Sequence, residues 1–156
     1  MGRMYTVSFE NVAVTAAQDF FETTPAVDKP IAVHGLLLYQ STDVGDAAEE
    51  MLRLEIIRGH TTSGSGGTTP TPAPLDTNDT VAGDTTWEVN NTTIASVGTT
   101  AILYVHYFNI RGGFEFWYPP EARPKATNGN TTLVVRLMAA PADSITMGGT
   151  LIYEEL

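Results

Sequence analysis

The side chains that could do chemistry in this sequence are few, and their spacing argues against most of it. The histidines are His34, His60 and His106, and the nearest two stand 26 positions apart. A metal site on a sheet needs at least two ligands close together on one face, so no metal is expected. Cysteine is absent, which removes thiolate ligands, disulfides and cysteine nucleophiles together. His34 lies in the most apolar run and His106 between Val105 and Tyr107; both read as structural histidines with satisfied rings. His60 flanks a glycine-rich stretch and reads as solvated.

The carboxylates give no better constellation. Glu49-Glu50 and Glu154-Glu155 are adjacent pairs, so on regular elements they diverge rather than share a proton. Glu115 and Glu121 flank Trp117 and Tyr118, the one place where two carboxylates sit among aromatics. Such a pair is the minimum for glycoside hydrolysis, but no second motif accompanies it, and aromatic strands in sandwiches are ordinarily core. Residues 59–67, GHTTSGSGG, have the glycine content of a phosphate loop. They lack the Lys-Ser/Thr ending, and Pro70 and Pro72 forbid the helix that must follow. Asn78, Asn90, Asn91 and Asn130 head N-x-Ser/Thr triplets that a chain with 23 threonines produces by chance. No catalytic, cofactor-binding or metal-binding residue is assigned, and the chain reads as a non-enzyme.

The elements that would position these residues read as strands. In 156 residues the chain has 14 Gly, 9 Pro and only two Lys. Branched Thr suits strands and turns, and Gly and Pro interrupt helices. Tyr5, Val7 and Phe9 alternate with Thr6, Ser8 and Glu10, a half-buried strand. Residues 11–24 continue the alternation at Val12 and Val14 before AAQDFF allows a helical turn. IAVHGLLLYQ (31–40) is apolar enough to be covered on both faces, and 41–51 forms a loop with one helical turn. MLRLEIIRG (51–59) alternates again. TWEVNN (86–91), TTIASV (92–97), TAILYVHYFNIR (100–111), FEFWY (114–118), TTLVVRLMA (131–139) and ITMGGTLIYEEL (145–156) complete the strands. Gly112-Gly113 suggests a hairpin, and Asn128-Gly129 turns the loop before residue 131. Eight to ten strands without helical crossovers predict an all-β fold: one antiparallel sandwich, a jelly roll of about eight strands over residues 1–156.

Residues 60–84 are the one low-complexity segment, flexible in its Gly/Ser half and extended in its TPTPAP half. Too few apolar residues lie in it to fold alone, so its backbone is expected in solvent or against a neighbouring subunit. Replacing 61–74 by a short linker is then expected to leave the fold intact. The formal charge of −10 opposes nucleic-acid binding. No apolar run approaches the roughly 20 residues of a membrane helix, and the start, MGRMYTVSFENV, lacks the apolar stretch of a secretory signal.

Three stretches carry a resemblance: YTVSFENVAVTAAQDFF, IIRGHTTSGSGGTTPTPAPL and AAPADSITMGGTLIYEEL. Together they resemble the cement or head-decoration proteins of tailed bacteriophages built on a jelly roll. The resemblance implies a homotrimer on the capsid exterior, made in the bacterial host cytoplasm and clamping neighbouring major capsid protein subunits. Tail and fibre parts with similar jelly rolls leave a second expectation, a carbohydrate-binding or host-adsorption module with Trp87, Trp117 or Tyr118 as platforms for a glycan. The candidate interface residues are Phe114, Phe116, Trp117 and Tyr118, together with Pro70, Pro72, Pro74 and Leu75 in the expected contact arm. The four aromatics either form one exposed patch or pack across the sandwich.

Overall fold

The computed structural model describes residues 2–41, 49–79, 83–127 and 132–156. Their strands are β1 (Arg3–Val14), β2 (Gln18–Thr23), β3 (Ile31–Gln40), β4 (Met51–His60), β5 (Ala73–Pro74), β6 (Trp87–Asn91), β7 (Ala101–Asn109), β8 (Phe114–Trp117), β9 (Lys125–Ala126), β10 (Thr132–Leu137) and β11 (Ile145–Glu155). One sheet runs β5-β1-β11-β3-β8, with β9 also on β3; the other runs β6-β2-β10-β4-β7. Without the two-residue strands and β6, successive strands alternate between sheets except for β4 and β7, which are neighbours in one sheet, and each β1-β11-β3-β8 neighbour has its counterpart in β2-β10-β4-β7. That order is the double Greek key of a jelly roll, so the expected fold class is the observed one.

The alternation of β1 explains its place. Tyr5, Val7 and Phe9 are buried between the sheets, and Ser8 and Glu10 face outward. Phe9 stacks on Phe20 of β2 with ring centroids 5.7 Å apart, and Tyr5 on Tyr153 of β11 at the same separation. Trp87 of β6 meets Tyr153 at 5.1 Å and is fully buried. β2 and β10 are buried along their whole length, because they are inner strands and the chain between β4 and β7 covers part of their outer face. β11 is central, pairing β1 from Arg3 to Val14 and β3 from Ile31 to Gln40.

Several sequence expectations need correction. Residues 11–24 contain no helical turn: β1 reaches Val14 through a bulge between Phe9 and Val12, where Asn11 takes φ 53°, and β2 follows at Gln18. Residues 92–97 are not a strand; they make single bridges at Thr93 and Ser96. The segment closes on Val97 and Gly98 at φ 60° and 88°, a left-handed pair that reverses the chain. Gly112-Gly113 does not join a hairpin, since β7 and β8 belong to opposite sheets. Aromatics on both strands face each other across the core, and burying them outweighs the ladder a hairpin would have made. The expected helical turn at 41–51 falls largely, and the Asn128-Gly129 turn wholly, outside the described residues.

Candidate functional site

The chemistry-bearing residues are dispersed rather than gathered in one site. His34 lies 2.9 Å from Glu154 through Nε2, and Glu154 also accepts from the backbone N–H of Gly2. Burial pushes the Glu154 carboxyl up, but His34, the Gly2 N–H and Arg123 outweigh it and hold it below its usual range. Glu155 turns to the other side and accepts from the Thr85 N–H, so that pair diverges as its spacing required. His60 corrects the sequence reading: it is buried at the end of β4, and neither ring nitrogen has a partner among the described residues. Glu115 sits on the outer face of the first sheet, whereas Glu121 belongs to the 3-10 turn Pro120–Ala122 beside Arg58 and Tyr104.

The glycine loop holds an anion after all, and the anion is the protein's own. The Glu22 carboxylate accepts from the Gly64 N–H at 3.0 and 3.1 Å and from the Ser63 hydroxyl at 2.7 Å. Asn91 donates to Glu22 and to Glu88, the residue paired with Glu22 across β2 and β6. Gly64 is required there, because a Cβ would stand 2.4 Å from the Thr93 carbonyl oxygen and 2.8 Å from a Glu22 oxygen. Buried Asn90 accepts from Gln18, so both adjacent asparagines are structural and neither side chain is presented to a glycosylating enzyme.

The expected free arm is therefore docked on its own domain. Thr62, Ser65 and Thr68 bridge to Ser96, Thr93 and Val89. Ala73 and Pro74 pair with Thr6 and Tyr5 as β5, and the Leu75 N–H donates to the Met4 carbonyl. Pro72 is buried, Pro70 and Pro74 are half-buried, and Leu75 is exposed. Low apolar content excluded a core of its own, but not hydrogen bonding to strand edges already present. A second strap lies beside it. Arg136 of β10 forms a two-pronged ion pair with Asp19 of β2, and both hold Ala95 by its N–H and carbonyl. Ala95 in turn covers Ile57 and Val134 on the outer face of the second sheet.

The four candidate aromatics do not form one patch. Phe114 and Tyr118 are buried and Phe116 stands at the rim, on the inward side of β8, facing Tyr104, His106 and Phe108 of β7. The His106 ring is 5.5 Å from that of Tyr104 and nearly parallel to it, and its Nε2 lies 3.3 Å from the Tyr118 hydroxyl. Burial holds the His106 pKa below its usual value, so the imidazole is one more ring in an aromatic ladder closing this side of the sandwich. Trp117 points the other way, to the outer face of the first sheet. Of the expected glycan platforms, Trp87 and Tyr118 are buried, which corrects that part of the reading; only Trp117 is presented.

What remains open is the side formed by β7 and β8. β7 is the last strand of its sheet, and Ile102, Val105 and Tyr107 on it are 55%, 45% and 59% exposed. Val105 and Tyr107 pair with Glu55 and Arg53, and the Arg53 guanidinium stands 6.0 Å from the Tyr107 ring centre. Composition did not single out β7, because an alternating strand looks the same whether its second face meets solvent or another chain. No family model and no curated protein matches the chain. A solved structure, "The 2.6A structure of Infectious Bursal Virus Derived T=1 Particles", aligns over 99% of this chain and 40% of its own, at 17% identity and a TM-score of 0.18. The jelly-roll assignment rests on the strand order of this chain.

Proposed function

We propose that the chain is a structural virion protein that decorates a tailed-bacteriophage capsid, clamping neighbouring major capsid protein subunits as a homotrimer and without catalysis. The observation that carries this reading is the apolar outer face of the nine-residue edge strand β7. Edge strands of soluble proteins are normally blunted by Lys, Pro or shortness. Residues 101–109 contain neither Lys nor Pro, and a contiguous exposed apolar patch is a mark of an interaction surface. A neighbouring chain would supply both the backbone partners and the apolar cover. The formal charge of −10 suits a position away from packaged DNA.

The test is a particle-binding experiment. Purified protein should scatter light with three times the 16.8 kDa chain mass and should sediment with capsids stripped of decoration. The Val105→Lys, Tyr107→Lys double variant should stay folded and lose both properties. A parent protein that runs at the single-chain mass at micromolar concentration and leaves capsids bare overturns the proposal.

A further inference from the structure

The outer face of the first sheet carries a second surface, distinct from the β7 edge in place and in chemistry. Register puts Trp117 beside Gly35 and Glu115 beside Leu37, and Thr150 stands between Leu37 and Ser8. The six-membered ring of Trp117 lies on Gly35, where a Cβ would stand 2.8 and 2.9 Å from two of its atoms. One ring face is thus seated on backbone, and the indole remains 55% exposed. Tyr39, 44% exposed, packs on Gly113. Glu115 joins the two rings: its carboxylate accepts from Trp117 Nε1 at 3.0 Å and from the Tyr39 hydroxyl at 3.0 Å. Beyond Tyr39 the face opens into a groove of about 580 Å³ over Gly148 and Gly149, with the Ser8 and Thr150 hydroxyls 2.9 Å apart on its wall.

We infer that this face is a binding site for a neutral saccharide, with Trp117 and Tyr39 as stacking platforms and Glu115, Ser8 and Thr150 as hydroxyl partners. The chemistry of the face selects that class. A sugar ring has apolar C–H faces and a polar hydroxyl edge, which match an aromatic ring flanked by acceptors and hydroxyls. Each Glu115 oxygen already takes one donor and keeps a second acceptor position, so the carboxylate is fixed in place and still able to accept from a ligand. Both side chains that set its position are themselves platforms, which links stacking to hydrogen bonding. Among the described residues that line the groove and the ring pair, Glu10 and Glu115 are the charged ones, so uronic or sialylated sugars are repelled. The proposal is independent of capsid decoration, because it uses the opposite sheet from Val105 and Tyr107.

The experiment uses the full chain and an array of neutral oligosaccharides (maltoheptaose, cellohexaose and an N-acetylglucosamine hexamer among them) printed beside sialylated and uronic chains. Acrylamide quenching of tryptophan fluorescence reads the site directly, since Trp87 is buried and Trp117 is the accessible indole. At least one neutral probe should bind and shield Trp117. Trp117→Ala should weaken binding by roughly tenfold or more, the loss typical of a truncated anchor aromatic. Trp117→Phe should retain part of it, Glu115→Gln should lower it severalfold, and Val105→Lys should leave it unchanged. Circular dichroism separates lost binding from lost fold. The inference is overturned if no neutral probe shields Trp117 at about 10 mM, if acidic chains bind equally well, or if folded Trp117→Ala binds like the parent.

Discussion

Removing one partner of the Asp19–Arg136 pair is the most demanding test of how the outer strap is held. Asp19 is fully buried and Arg136 nearly so. The carboxylate accepts from Arg136 Nε at 2.5 Å, from Nη2 at 3.0 Å and from the Ala95 N–H at 2.7 Å, and Nη2 donates to the Ala95 carbonyl at 2.8 Å. Asp19→Ala leaves the guanidinium charged, beneath the strap and without its carboxylate. Breaking a buried pair in this way costs about 3–5 kcal/mol, a large part of the roughly 5–15 kcal/mol that holds a domain folded. At about 2–4 °C per kcal/mol for a chain of this size, the melting midpoint should fall by roughly 6–20 °C. Arg136→Met strands the carboxylate instead and should cost a similar amount. The double variant strands neither charge, so it should recover about 2 kcal/mol or more relative to the sum of the singles. Urea unfolding, followed by fluorescence of buried Trp87 and fitted for all four proteins, gives the coupling. Single losses below about 1 kcal/mol, or strict additivity, would refute the claim that this pair pins Ala95 over Ile57 and Val134.

His106 is held neutral by burial, so its folded pKa is below the ordinary value of 6.5. The unfolded chain therefore binds the extra proton first, and stability should decline as pH falls below about 6.5 towards the lower folded pKa; His106→Phe should flatten that limb in denaturation midpoints measured between pH 7 and 5. Glu154 is also depressed in the folded state, and its contribution should be present above its ordinary range and lost only in more acidic solution; His34→Ala should shrink that acid-limb loss in the same titration. Deleting residues 150–156 removes most of the β11 partners of both β1 and β3 and should yield aggregated protein on size exclusion. Replacing 61–74 by a short linker should lower the urea midpoint measurably, since Glu22 loses Ser63 and Gly64 and β1 loses β5. Binding to duplex DNA should be absent in a gel shift at about 150 mM salt.

The strand pattern was legible wherever one face meets the core and the other water. Tyr5-Val7-Phe9 and Leu52-Leu54-Ile56 declare their inward sides by period two alone. β2 was harder, because QDFFET is polar in composition yet wholly buried; Asp19 and Glu22 are tolerated only because Arg136, Ala95, Ser63, Gly64 and Asn91 converge on them from distant parts of the chain. The pairing of β7 with β4 rather than β8 was equally hidden, since a glycine pair signals a turn without saying which sheet the next strand joins. Of the surface residues, Trp117 was singled out by type. Tyr39 was not, because its relation to Glu115 spans 76 positions and exists only through the β3–β8 register.

The excursion between β4 and β7 changes the valence of the molecule. It places β5 outside β1 and β6 outside β2, so both sheets are extended on the same side by a single stretch of chain. These added margins are two and five residues long, and Val89 in the second is already bridged to Thr68. A sandwich with two equivalent long margins can add copies at both, like a tile with two matching sides, and grow without end. Among the described residues, only the β7 and β8 side offers a long, apolar strand edge. Contacts confined to one such side close on themselves or end against another protein, whereas an open fibre needs a second, complementary surface on each subunit. In a protein with so few lysines to blunt its strands, that asymmetry of the chain path leaves one margin long and bare and covers the other.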